Sequence, residues 1–102
     1  MTDLEIRTKL LLSLQRALLG AVSPALREVS CSWEGKQIKL RFVYDGEISE
    51  EDRDAAHMVG AEVIADFPAD WDIEEDIARL DAPAKLIQPD AAVILVFRMR
   101  ED

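Results

Sequence analysis

The sequence predicts an α+β protein, a two-layer sandwich of order α-β-β-α-β-β with two helices on one face of a four-stranded, mostly antiparallel sheet. Two segments carry apolar residues at helical spacing, and they are interspersed with segments that alternate apolar and polar residues. A length of 102 residues and a hydrophobic content of 49% suit a single domain over residues 1–102 with a modest core. Packing both helices on one sheet face buries their apolar stripes with the fewest layers.

The first helix is predicted over residues 3–22, with Gly20 and Pro24 marking its end. Several leucines fall on one stripe at helical spacing, and neighbouring leucines widen it. A stripe of this width is typical of a helix laid across a sheet. The residues predicted to face the core are Leu4, Leu11, Leu14, Leu18 and Val22.

A β-hairpin follows, with its turn at Glu34-Gly35. Residues 28–33 and 38–44 both alternate apolar and polar side chains, so one face of the hairpin is predicted to be covered and the other polar. The side chains predicted to face the core are Val29, Cys31, Trp33, Ile38, Leu40, Phe42 and Tyr44.

The second helix is predicted from Ser49 to about Phe67, before Pro68. Ser49 can accept hydrogen bonds from the first free backbone N–H groups, and the acidic residues after it suit the positive end of the helix dipole. The predicted buried stripe is Ala56, Val59, Gly60, Val63 and Phe67.

The third and fourth strands differ in the strength of their signal. Residues 72–80 favour a strand, although Ile73 and Ile77 are four residues apart, which leaves a bulge or a helical turn open. Residues 81–90 are predicted to form a loop. Residues 91–100 are apolar on both faces of the alternation, which predicts a central strand.

The formal net charge of −9 is unevenly distributed along the chain. Residues 1–43 carry seven basic and four acidic side chains, whereas residues 44–102 carry five basic and 17 acidic ones. Such an acidic half repels nucleic acids and anionic membranes and favours a basic protein partner. The lone Cys31 and an acidic N-terminal segment without the basic start of a secretory signal predict a cytoplasmic protein.

The sequence predicts no catalytic site, no cofactor and no metal site. Cys31 and His57 are the one possible thiol–imidazole pair, but Cys31 is predicted to face the core, where a thiol behaves as a small apolar group. The acidic runs are polar and solvated, which does not suit general acid–base catalysis. Residues 70–81 lack the glycine and the terminal glutamate of a calcium-binding loop.

A docking surface for a basic partner is instead predicted at two acidic segments. Trp71 would be its aromatic anchor, and the carboxylates around it would steer association. The alternative is a solvated helix start and an edge strand protected by charge. The predicted contact residues are Asp70, Trp71, Asp72, Glu74, Glu75 and Asp76, with Glu50, Glu51 and Asp54 beside them.

Four segments resemble a family of small acidic bacterial proteins, and together they span most of the chain. They are residues 11–20 (LLSLQRALLG), 45–52 (DGEISEED), 62–67 (EVIADF) and 79–81 (RLD). Proteins of this kind are similar to immunity proteins of contact-delivered toxins. The resemblance implies a non-catalytic protein that neutralises a basic toxin, for example a nuclease, by covering its active site. The alternative is a structural or regulatory subunit that acts as a homodimer or an adaptor.

Overall fold

The computed structural model describes residues 1–86 and 92–99 and confirms the predicted element order. Both helices begin at a capping side chain, since the Thr2 hydroxyl accepts a hydrogen bond from the Glu5 N–H and the Ser49 hydroxyl accepts one from the Asp52 N–H. The elements are α1 (Asp3–Ala17), β1 (Leu26–Glu34), β2 (Gln37–Tyr44), α2 (Glu50–Ala65), β3 (Asp72–Arg79) and β4 (Ile94–Arg98).

The four strands form one mixed sheet in the order β3-β2-β1-β4. Strand β1 is antiparallel to both β2 and β4, which confirms the mostly antiparallel prediction. Strand β3 is parallel to β2, because α2 carries the chain back to the end of the sheet where β2 began. Residues 72–79 form a regular strand, and Glu75 lies between Ile73 and Ile77 on the same face.

The prediction that the last strand is central was wrong. Strand β4 pairs with β1 at one border of the sheet, and Leu95 is 38% exposed. The hairpin of β1 and β2 has two free edges. The crossover through α2 places β3 at the edge of β2, so β4 pairs along the remaining edge, which is that of β1. The register of β4 shifts opposite Val29 and Ser30, and three of its apolar residues, Ile94, Val96 and Phe97, pack against the core. Residues 91 and 100 of the predicted strand lie outside the described residues.

The core lies between the helices and the inward-facing side chains of β1 and β2. The predicted alternation is confirmed, and Trp33 at the end of β1 is half-buried. The predicted stripe of α2 is also confirmed as buried throughout. The strand residues at the centre of the core are Val29, Cys31, Ile38, Leu40, Phe42 and Tyr44, each no more than 1% exposed.

The predicted stripe of α1 was partly wrong. Leu14 and Leu18 are buried and Leu11 is half-buried, but Leu4 is 73% exposed and Val22 lies beyond the helix, which ends at Ala17. Leucines surround much of this helix, so periodicity alone does not define which side faces the sheet. The side that does so also carries Ser13, whose hydroxyl donates to Asp66 Oδ2 at 2.6 Å. The buried residues are Ile6, Leu10, Ser13, Leu14 and Ala17.

The sheet face opposite the helices is polar but only partly open. Glu28 is buried there and binds Arg98 on β4. Arg27, which is 3% exposed, donates to the carbonyl oxygens of Leu80 and, at 2.8 Å, of Ala84. These bonds tie the start of the predicted loop after β3 to the start of β1. Residues 87–90 of that loop lie outside the described residues.

Candidate docking surface

The acidic residues of β3 alternate between the two faces of the sheet. Asp72, Glu74 and Asp76 are in register with Gln37, Lys39 and Arg41 of β2. Because the residues between them on β2 are buried under the helices, these three carboxylates lie on the opposite face. There they stand beside a basic row, and Asp76 Oδ2 is 3.5 Å from Arg41 Nη1. The neighbouring strand therefore offsets part of the charge on this segment.

Two further carboxylates of this segment also have partners. Asp70 accepts a hydrogen bond from Lys36, which together with the charge of that ammonium group lowers the pKa of the Asp70 carboxyl. Glu75 lies on the helix side of β3, in the space that Gly60 leaves free on α2, and its side chain is only 17% exposed. His57 lies beside it, with its Nδ1 3.5 Å from Glu75 Oε1. Each of these carboxylates therefore already lies beside a basic side chain.

Trp71, which the sequence predicted to be the aromatic anchor of the docking surface, lies in the core. The side chain is 7% exposed, and its ring centroid is 5.0 Å from that of Phe67. A turn between α2 and β3, closed by the Trp71 N–H bonding the Pro68 carbonyl oxygen, brings the two rings together. The indole ring therefore packs beside the C-terminal end of α2 and does not project into solvent.

The acidic residues at the start of α2 have different surroundings. Glu50, Glu51 and Asp54 are exposed, and within the described residues no ion pair joins them to a basic side chain. The Tyr44 hydroxyl donates to the Asp52 carbonyl oxygen at 3.2 Å, which holds this turn of the helix against the end of β2.

The turn before α2 adds two carboxylates that the predicted contact set omitted. Asp45 and Glu47 are exposed, and their charges help to raise the pKa of Arg79, after the larger effect of its hydrogen bonds to Asp81. No contact role was predicted for this segment, although its acidic composition was visible. We use the term acidic end for Asp45, Glu47, Glu50, Glu51 and Asp54.

The structure does not assemble a catalytic pair from Cys31 and His57. Cys31 is buried in β1, and this burial raises the pKa of its thiol to about 11. A thiol in that state is protonated near neutral pH and is a poor nucleophile. His57 lies on the exposed side of α2, beside Glu75 of β3.

Metal-binding clusters and membrane-spanning helices are both absent from the described part of the chain. Residues 1–86 and 92–99 contain no group of three or more His, Cys, Asp or Glu side chains placed to hold a metal ion. None of the helices in these ranges has the length and apolar character needed to cross a membrane.

Comparison with known proteins identifies a family. A family model described as MafI2 immunity protein matches residues 7–101, which is almost the entire chain. No curated protein matches the sequence.

Proposed function

We propose that this chain, which belongs to the MafI2 immunity protein family, neutralises a basic bacterial toxin by covering its active site. Membership of the family points to an immunity function against a toxin and to a non-catalytic inhibitor. The basic character of the toxin and the blocked active site are the parts that we add. A nuclease is the class of toxin that best fits the charge of this protein.

The observation that carries this proposal is the acidic end. Its five carboxylates project from one turn and the start of one helix, in a protein of net charge −9. A nuclease must attract phosphate groups, so its substrate groove is basic. An exposed group of carboxylates is attracted to the same basic groove. This attraction raises the association rate and disfavours partners of the wrong charge.

The β3 segment contributes less in this proposal. Asp72 and Glu74 are exposed and can add to the steering field, whereas Asp70, Glu75 and Asp76 already face basic side chains. Of the predicted contact set, we therefore assign the main contacts to Glu50, Glu51 and Asp54.

We place this activity in the cytoplasm. A toxin delivered into a neighbouring cell acts on targets inside it, so its inhibitor must be present there. A free, buried Cys31 suits a reducing compartment.

The test compares two triple charge reversals for binding to the toxin domain encoded beside this protein. One variant changes Glu50, Glu51 and Asp54 to Lys, and the matched control changes Asp72, Glu74 and Asp76 to Lys. The first should slow association by about tenfold or more at low ionic strength, within the range of electrostatic steering. The control should have a smaller effect, and salt should reduce both effects.

Stopped-flow association rates at several salt concentrations check this expectation, with circular dichroism confirming that each variant is folded. A lack of any complex between the unmodified proteins would contradict the toxin-inhibitor proposal. A control variant that slows association more than the α2 variant would contradict the assignment to α2.

A second candidate function is a structural or regulatory subunit that acts as a homodimer. The exposed side of α2 carries Met58, Ala61 and Ala65, an apolar surface of the kind found at contacts between subunits. A stable dimer that fails to inhibit the toxin in cells that produce both proteins would favour this alternative.

A further inference from the structure

Most of the exposed large apolar side chains of the described residues belong to the two helices and to the residues just before and after α1. The described part of the chain has seven such side chains, and one of them, Leu95, belongs to the sheet. A single exposed apolar residue is ordinary, whereas several on the same layer are typical of a contact surface. The six on the layer are Met1, Leu4, Leu12, Leu19 and Val22 around α1, and Met58 on α2.

The two helices of this layer carry opposite charge. Helix α1 contains three basic and two acidic side chains, and the exposed Arg7 and Lys9 flank its apolar residues. Helix α2 contains one basic and five acidic side chains, and the exposed Asp54 and Glu62 flank Met58. Each helix therefore combines apolar residues with a rim that attracts the rim of the other.

We propose that a second copy of this chain covers the layer, with α1 of each copy packed against α2 of the other. A two-fold axis would make this contact twice, so that both apolar surfaces and both charged rims are matched. Pairing α1 with its own symmetry mate would bring together helices of the same net charge. The proposal does not depend on the toxin-inhibitor function.

The size of the layer also favours the use of both helices. Helix α1 has 15 residues, so it presents a face about 22 Å long and 10 Å wide. A stable interface buries about 800 Å² on each partner, far more than one helix face of this size can offer. Contact between two complete helical layers comes much closer to that area.

Sedimentation of the full chain across micromolar concentrations tests the proposal. No toxin is added, because Asp54 belongs both to the rim of α2 and to the acidic end that is proposed to bind the toxin. The protein should show a reversible equilibrium between monomer and dimer. Leu12→Glu on α1 would face the acidic α2 of the other copy, and Met58→Lys on α2 would face the basic α1. Each should raise the dissociation constant about tenfold or more, the equivalent of about 1.4 kcal/mol. The control Leu95→Lys, at the exposed apolar residue of β4, should leave it unchanged.

Mixing the two helix variants tests the pairing itself. A mixed dimer retains one unmodified contact between α1 and α2, and its other contact places the introduced lysine of one copy beside the introduced glutamate of its partner. Native mass spectrometry with one variant labelled with ¹⁵N should therefore show more mixed dimer than either homodimer. A strictly monomeric protein would overturn the proposal, as would a dimer that Leu12→Glu weakens but Met58→Lys does not.

Discussion

The segments 50–54 and 70–76 have similar acidic composition but different surroundings. At the start of α2, three carboxylates project into solvent, and among the described residues none of them forms an ion pair with a basic side chain. In the second segment, register places carboxylates beside Lys39 and Arg41, and Asp70 binds Lys36. The density of acidic residues along a chain therefore does not indicate how much negative charge a partner can reach.

Replacing Trp71 should give the largest effect and test whether this residue serves the core or a partner. Because the side chain is buried against Phe67, Trp71→Ala should lower the free energy of unfolding by about 3–5 kcal/mol. Urea denaturation measures this loss. The half-buried Trp33, replaced in the same way, should cost less. Unchanged stability combined with weaker toxin binding would instead support Trp71 as an anchor.

Removing the N-cap of α2 should have a smaller effect. It tests whether Ser49 stabilises the first turn of the helix, which carries the acidic segment 50–54. Ser49→Ala leaves the Asp52 N–H without its side-chain acceptor and should cost about 1 kcal/mol of folding stability. Thermal or urea unfolding measures the change. Ser32→Ala, at a half-buried position in β1, serves as the matched control. Equal losses for both variants would show that the cap has no special role.

The ion pair between Arg41 and Asp76 tests how strongly the basic side chains of β2 interact with the carboxylates of segment 70–76. Their side chains are 41% and 38% exposed, so the coupling energy should not exceed about 1 kcal/mol. A double-mutant cycle with Arg41→Met and Asp76→Ala measures this energy in urea. A much larger coupling would mean that the pair is more shielded from water than these exposures indicate.

The smallest expected effect is a change in the pH dependence of folding stability when Asp70 is replaced. Hydrogen bonding to Lys36 lowers the pKa of the folded carboxyl, so ionised Asp70 stabilises the fold above the pKa of the unfolded chain. This contribution should be lost as pH falls below about 3.9 and through the lower folded-state pKa. Melting temperatures of Asp70→Asn should therefore depend less on pH in that range. An identical pH dependence in both proteins would contradict this linkage.

Local sequence signals determined much of the architecture. The element order, the hairpin turn, the Ser49 cap and the buried stripe of α2 were all predicted, because each depends on residues close together in the chain. The stripe of α2 could be predicted because small and apolar residues, from Ala56 to Phe67, recur at helical spacing on one side of the helix. The concentration of negative charge after residue 44 can also be read directly from the sequence.

Tertiary structure decided which of those features face solvent. The leucines of α1 lie on several sides of the helix, and only its packing against the sheet and Asp66 shows that Leu4 is exposed. The parallel pairing of β3 with β2 sets acidic residues beside basic ones, and a turn after Phe67 buries Trp71. These outcomes depend on helix rotation, strand register and contacts between distant residues, which local periodicity does not specify. The sequence therefore indicated an acidic binding protein, but the fold identified Glu50, Glu51 and Asp54 as exposed carboxylates that form no ion pair within the described residues.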